Sequence, residues 1–354
     1  ASTMTIDVNN LSVDGSVDGY SLVNNGVFHG NVAGVTYLFD GWNLNNGNLD
    51  ADFYLATGSL EIADDTAWQS AFANNLNDFQ LYVRDSGLYL GQYNADIVNG
   101  AKGNKGANMV VAAQSVDVNR IQNNGASLSV LAGTDAVNPN SGAGDYGNLT
   151  VNDFVSGVAG SQTQLIASGT LGVNGDITNQ GQMLLNANQV AIMLNGASGT
   201  GNLYGDTVSA LPNGDVLNTG ANAQLTIMAS NTGDGTVAIS GDVTNSGQLV
   251  DISAKNIAVA GVVTNNTGVM NIRGSYAEGD TGADLMGPVF FGSLVANGGV
   301  LNIDAQGGAI QVANAIKVAQ DGALNFEENV KNVDVSADGT GIVQIAGNVT
   351  AGDM

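Results

Sequence analysis

The chain contains no cysteine and a single histidine, His29, in 354 residues. No disulfide or thiolate nucleophile is therefore available, and the usual Cys/His zinc sites cannot be built. Basic residues are also scarce: 8 Lys and Arg stand against 32 Asp and Glu, a formal net charge of -24. Binding to DNA or RNA needs a basic footprint that releases counterions, and the nearest approach here is Lys102 with Lys105 in a Gly-rich stretch. The same deficit argues against an anionic membrane surface. Apolar runs are short, Met109 to Ala113 being typical, so a membrane-inserted helix of about 18 residues or more is not expected. Proline occurs only 3 times.

What the chain has in abundance is glycine, 50 residues, with asparagine nearly as common. Both accept the left-handed backbone region at low cost, which suits a chain that turns every few residues. With 44% hydrophobic residues the chain can still bury a core, so this is not the composition of a disordered segment. The acidity reads as a means of keeping a repetitive β-rich surface soluble and unpaired with its neighbours.

The pattern that organises these residues is a repeat. Ala238-Ile-Ser-Gly-Asp-Val-Thr-Asn245 returns as Ala258-Val-Ala-Gly-Val-Val-Thr-Asn265, and a period near twenty signals stacked coils. A unit Ala-x-x-apolar-x-apolar begins at Ala113, Ala187 and Ala254, with a longer copy from Ala305. The upstream half starts at Thr178, Thr244, Thr264 and Ala296. Short apolar alternations between Gly and Asn predict narrow strands and tight corners, with Asn179, Asn245 and Asn265 placed to form amide ladders from coil to coil. Polar, Gly-rich insertions are expected near 196–214 and 275–288.

Residues 1–107 differ in style. Most of the aromatic residues lie there, Tyr20, Trp42, Trp68, Phe72 and Tyr93 among them, which predicts an aromatic-rich β cap or assembly module ahead of the coils of 108–354. A helix is expected near 66–76, with Asp64 and Asp65 as cap and Trp68, Phe72 and Leu76 as a stripe.

The stretch Gly241-Asp-Val-Thr-Asn-Ser-Gly247-Gln-Leu249, followed by an apolar strand and a second Val-Thr-Asn, resembles the repeats of filamentous-haemagglutinin-type secreted adhesins. The likeness covers about residues 160 to 354 and implies a right-handed parallel β-helix, an all-β solenoid, with adhesion, surface display and filament formation as expected roles. Asn138-Pro-Asn-Ser-Gly142 is read as a loop.

Chemistry is hard to assemble from what remains. His29 has no Ser and Asp nominated beside it, and Asp64-Asp65 serves better as a helix cap than as a hydrolase carboxylate pair. No catalytic residue is expected. Calcium is the one cofactor to weigh, with Asp14, Asp18, Glu278, Asp280 and Asp284 near flexible Gly, though none follows a known calcium-loop spacing. Asn-x-Thr sequons at Asn148, Asn265 and Asn348 are what chance yields in so Asn-rich a chain.

The expectation is a non-enzymatic structural protein, extracellular or at the cell surface. Its first residues, Ala1-Ser-Thr, read as the product of signal-peptide removal. Its main partner is itself, through solenoid ends or a terminal strand carrying Thr3, Thr5, Ile6, Val8, Leu11 and Val13. A monomeric adhesin or glycan-binding solenoid, with Tyr20, Trp42 or Tyr93 stacking on sugars, is the first alternative, and a polysaccharide-degrading β-helix is the second.

Overall fold

In a computed structural model of the chain, side chains are described for residues 91, 96–100, 105–133, 147–193, 214–230, 235–274, 289–305, 310–319, 321–326 and 342. Before residue 90 and after residue 326 the remaining strands are described by their backbone pairing. The architecture is all-β. Among the described residues there are strands and no α-helix, and every strand pairing is parallel. Two compact units are present, Ala1–Leu171 and Gly172–Met354.

In the second unit the sequence repeat is the physical register. Val243 pairs with Val263, Thr244 with Thr264 and Asn245 with Asn265, each twenty positions apart. Ile257 lies opposite Val237, and Leu249 opposite Val269. One coil thus lays down three pairing segments, Ile257–Val259, Val263–Asn265 and Val269–Gly274, before the chain returns over itself. Parallel neighbours follow directly, because each coil runs in the direction of the one before it.

Alternation decides which side chains face inward. The strand Val269–Gly274 alternates half-buried and buried residues, with Met270 and Ile272 fully inside. Successive coils align these positions, so Val190, Val237, Ile257, Val289 and Ile310 form one inner column. None of the five exceeds 1% exposure. Each such aliphatic side chain contributes about 1.5–3 kcal/mol by leaving water, which is the force that closes the coil.

The first unit follows the same plan. Asn108–Ala113 pairs with Asp78–Val83 on one side and Ser127–Ala132 on the other. Ile121–Asn123 lies between Ile97–Asn99 and Val155–Gly157.

Two expectations need correction. Phe72–Asn74, in the second half of the helix placed near 66–76, form a strand paired with Ile97–Asn99. The spacing of Trp68, Phe72 and Leu76 is outweighed here by the pairing that the neighbouring coil offers. The repeat copy starting at Ala296 is also shifted by one position, since Ala296 lies opposite Asn265 and not Thr264. The rest of the expected helix, the side chains of the aromatic cap, the loop at 138–142 and the insertions over 196–213 and 275–288 lie outside the described residues.

Candidate functional site

The most elaborate polar construction among the described residues is inside the coils. At one register position in each of four successive coils of the second unit stands an asparagine: Asn179, Asn218, Asn245 and Asn265. All four are completely buried. Asn179 Nδ2 donates to Asn218 Oδ1 at 2.8 Å, Asn218 Nδ2 to Asn245 Oδ1 at 2.9 Å, and Asn245 Nδ2 to Asn265 Oδ1 at 2.9 Å.

Three of the amides also tie down their own corners, Asn218 Nδ2 by donating to the Ala223 carbonyl at 3.2 Å. The Gly181 and Gly247 N–H groups donate to Asn179 and Asn245 Oδ1, and Asn245 Nδ2 reaches the Thr267 carbonyl at 2.9 Å. A corner leaves backbone groups with no strand partner, and a buried unpaired group costs about 1–3 kcal/mol. The asparagine amide, with donor and acceptor on one planar head, satisfies both the turn below it and the coil above.

The ladder stops where the sequence withdraws the amide. Ala296 occupies the next step, and Asn265 Nδ2 donates to the Gly298 and Val300 carbonyls at 3.1 Å each, as Asn245 Nδ2 does to those of Thr267 and Val269 beside its rung. The first unit has a shorter version, in which Asn99 Nδ2 donates to Asn123 Oδ1 at 3.0 Å and Asn123 Nδ2 to Thr163 Oγ1 at 3.0 Å.

The sequence placed Asn179, Asn245 and Asn265 at these corners. It missed Asn218, Asn99 and Asn123. A signal for Asn218 was available: Asp176-Ile-Thr-Asn179, Asp215-Val-Leu-Asn218 and Asp242-Val-Thr-Asn245 all carry Asp three residues ahead of the ladder position. Those aspartates form a second column. Asp176 and Asp215 accept from the Asp215 and Asp242 N–H groups at 2.9 and 2.8 Å, and Asp242 accepts from Val262 N–H at 2.7 Å. Each carboxylate seals the coil above it with a charge-assisted hydrogen bond.

In the first unit the corresponding strand start carries Asp96, only 2% exposed, held by the Arg120 guanidinium through Nε and Nη2. Asn119 Nδ2 adds a third donor at 3.0 Å. The hydrogen bond to Asp96 pushes the Arg120 pKa up, against desolvation. The guanidinium carbon lies 5.6 Å from the centroid of the Phe154 ring, within cation–π range. Nearby, Asp117 is half-buried and accepts from Asn152 Nδ2 at 2.7 Å. Burial raises its pKa from the ordinary 3.8, partly offset by that hydrogen bond.

Arg273 is 3.8 Å from Asp251, whose other carboxylate oxygen is buried without a hydrogen-bond partner. Three successive strands carry an outward amide ladder, Asn325 to Asn302 at 2.8 Å and Asn302 to Asn271 at 2.9 Å.

Of the strand expected to carry assembly, Val8 and Leu11 fall in Val8–Leu11, which pairs through Gly30 and Val32 with Phe28–Ala33. Thr3, Thr5, Ile6 and Val13 lie outside the described residues, as do the calcium candidates Asp14, Asp18, Glu278, Asp280 and Asp284. So do Tyr20, Trp42, Asp64, Asp65 and Tyr93. His29 sits in Phe28–Ala33, where only the backbone is described. Among the described residues no three His, Asp or Glu side chains converge as a metal site would require, and no helix there is long and apolar enough to cross a membrane.

Among the described residues several strands pair on one side only, Thr36–Leu38 with Leu60–Ile62 and Phe72–Asn74 with Ile97–Asn99 among them. Val8–Leu11 has a strand neighbour on one side only, and the same holds for Asp334–Ala337, Ile342–Ile345 and Val349–Thr350 among the described residues. No family profile, curated protein or solved structure matches this chain.

Proposed function

We propose that this chain is a secreted, non-enzymatic structural protein, a self-assembling subunit of an extracellular filament or surface layer, built as a right-handed parallel β-helix with an aromatic N-terminal cap. The supporting observation is that the first described strand, Val8–Leu11, and the last, Val349–Thr350, each pair with one other strand among the described residues. A strand edge with free donors and acceptors is a template for another strand, and head-to-tail addition of unlike ends gives open polymers. The terminal segment through Val8–Leu11 is the strand that one copy would contribute to the next.

The interior is consistent with a load-carrying scaffold. Its polar side chains are spent on fastening coils to one another, as the four-step asparagine ladder illustrates. The excess of 32 acidic over 8 basic residues suits copies that meet at specific ends and repel elsewhere.

Deleting residues 1–13 tests the reading. Electron microscopy and concentration-dependent light scattering should show polymers for the full chain and single particles for the truncated one, with unchanged β circular dichroism. Polymers that persist after the deletion would exclude strand donation. Single particles of the full chain at every concentration would favour the monomeric, glycan-binding alternative.

A further inference from the structure

We infer that Asn148 is an acceptor site for an N-linked glycan, an inference that rests on the extracellular reading above. Asn148-Leu149-Thr150 is an Asn-x-Thr sequon. Leu149 is fully buried, while Asn148 is exposed and Thr150 half-buried at the start of the strand Leu149–Val151. Strand alternation therefore turns the amide and the hydroxyl of the sequon to the same outer side.

The amide is also oriented. Asn148 Oδ1 accepts the Thr170 N–H at 2.9 Å, and because the amide head is planar this directs Nδ2 away from the backbone it touches. Attachment of a sugar to Nδ2 leaves Oδ1 free to keep that bond. The product therefore fits the folded coil with no loss of the existing contact.

Asn265-Asn266-Thr267 carries the same motif and makes the contrast. Asn265 has no exposed surface, and its Nδ2 donates to the Gly298 and Val300 carbonyls inside the ladder. A glycan there would displace the next coil. One motif thus has two fates, decided by which side of the coil wall the amide occupies.

The reaction is a glycosyl transfer from a polyprenyl-phosphate-linked oligosaccharide. A bond forms between Nδ2 of Asn148 and the anomeric carbon. The bond from that carbon to the phosphate oxygen breaks, the polyprenyl phosphate departs with the electron pair, and Nδ2 gives up one proton.

Glycopeptide mass spectrometry of the full chain, isolated from the cells that make it and from their medium, provides the test. The expected result is a peptide spanning Asn148 that carries hexose-derived fragment ions, a bare peptide spanning Asn265, and loss of the Asn148-dependent mass in Asn148→Gln. Extracellular chain with a bare Asn148 overturns the inference and leaves the extracellular reading standing, and modification at Asn265 overturns the structural selection. If the chain is found only inside the cell, the extracellular reading fails first. Secretion behind a foreign leader from a glycosylating host then decides Asn148 separately, since a bare Asn148 in that product also overturns the site.

Discussion

A single asparagine in this fold is worth more than its one side chain suggests, because its loss strands groups on two coils. In Asn245→Ala, the Gly247 N–H loses its acceptor and Asn265 Oδ1 its ladder donor, both in a fully buried corner. A destabilisation of about 2–4 kcal/mol is expected from those unpaired groups, against less than about 1 kcal/mol for Asn302→Ala on the half-buried outer ladder. Thermal or urea unfolding of the two variants measures the gap, and equal losses would show that the inner ladder has no special weight.

Asp117 gives the opposite sign. Its folded pKa is raised above 3.8 by burial, so its contribution to stability is fully present below 3.8 and is lost as pH rises through the folded value. Asp117→Asn should therefore raise the melting temperature at pH 7 and change little at pH 3, the Asn152 donor still finding an oxygen. A lower melting temperature at pH 7 would mean that the charge itself is stabilising.

Corners set the limits at the scale of the element. Gly268 and Gly299 precede the paired strands Val269–Gly274 and Gly299–Asp304, or open them, with φ of 67° and 70°. That left-handed conformation disfavours any Cβ, and one built on Gly299 would overlap the Gly268 carbonyl oxygen of the coil beneath. Gly299→Ala should cost at least about 1 kcal/mol from the backbone conformation alone. Gly172→Ala, where a Cβ meets open space, should be neutral or slightly stabilising. Similar melting temperatures for the two would remove the corner argument.

The same scale explains the short strand at Phe72–Asn74. A segment with helical spacing becomes a strand when Ile97–Asn99 offers it a ready ladder.

For the whole molecule, charge and open edges act against each other. A chain of net charge -24 repels its own copies, and the repulsion is screened over about 10 Å at 0.1 M salt. If the proposed end-to-end addition of strands is right, it should therefore begin at lower protein concentration as salt rises from low to physiological. Light scattering across a salt series measures this. Polymers that dissolve as salt is added would point to ionic end contacts and away from strand addition.

Much of this protein is written in its residue order. The twenty-residue period, the inward alternation and three of the ladder asparagines are local patterns, and the register of Asn245 on Asn265 reproduces the repeat as it reads in the sequence. What the order of residues left open depends on which side of the wall a side chain meets, and on what lies one coil away. Asn148 and Asn265 share one motif, yet only stacking makes the first exposed and the second sealed. The pairing of Asp96 with Arg120, twenty-four residues apart, has no local signal because the chain must complete a coil before the two charges meet. Sequence fixes what each coil can bury, and the stacking of coils decides which polar groups are satisfied inside and which are left for water or a neighbour.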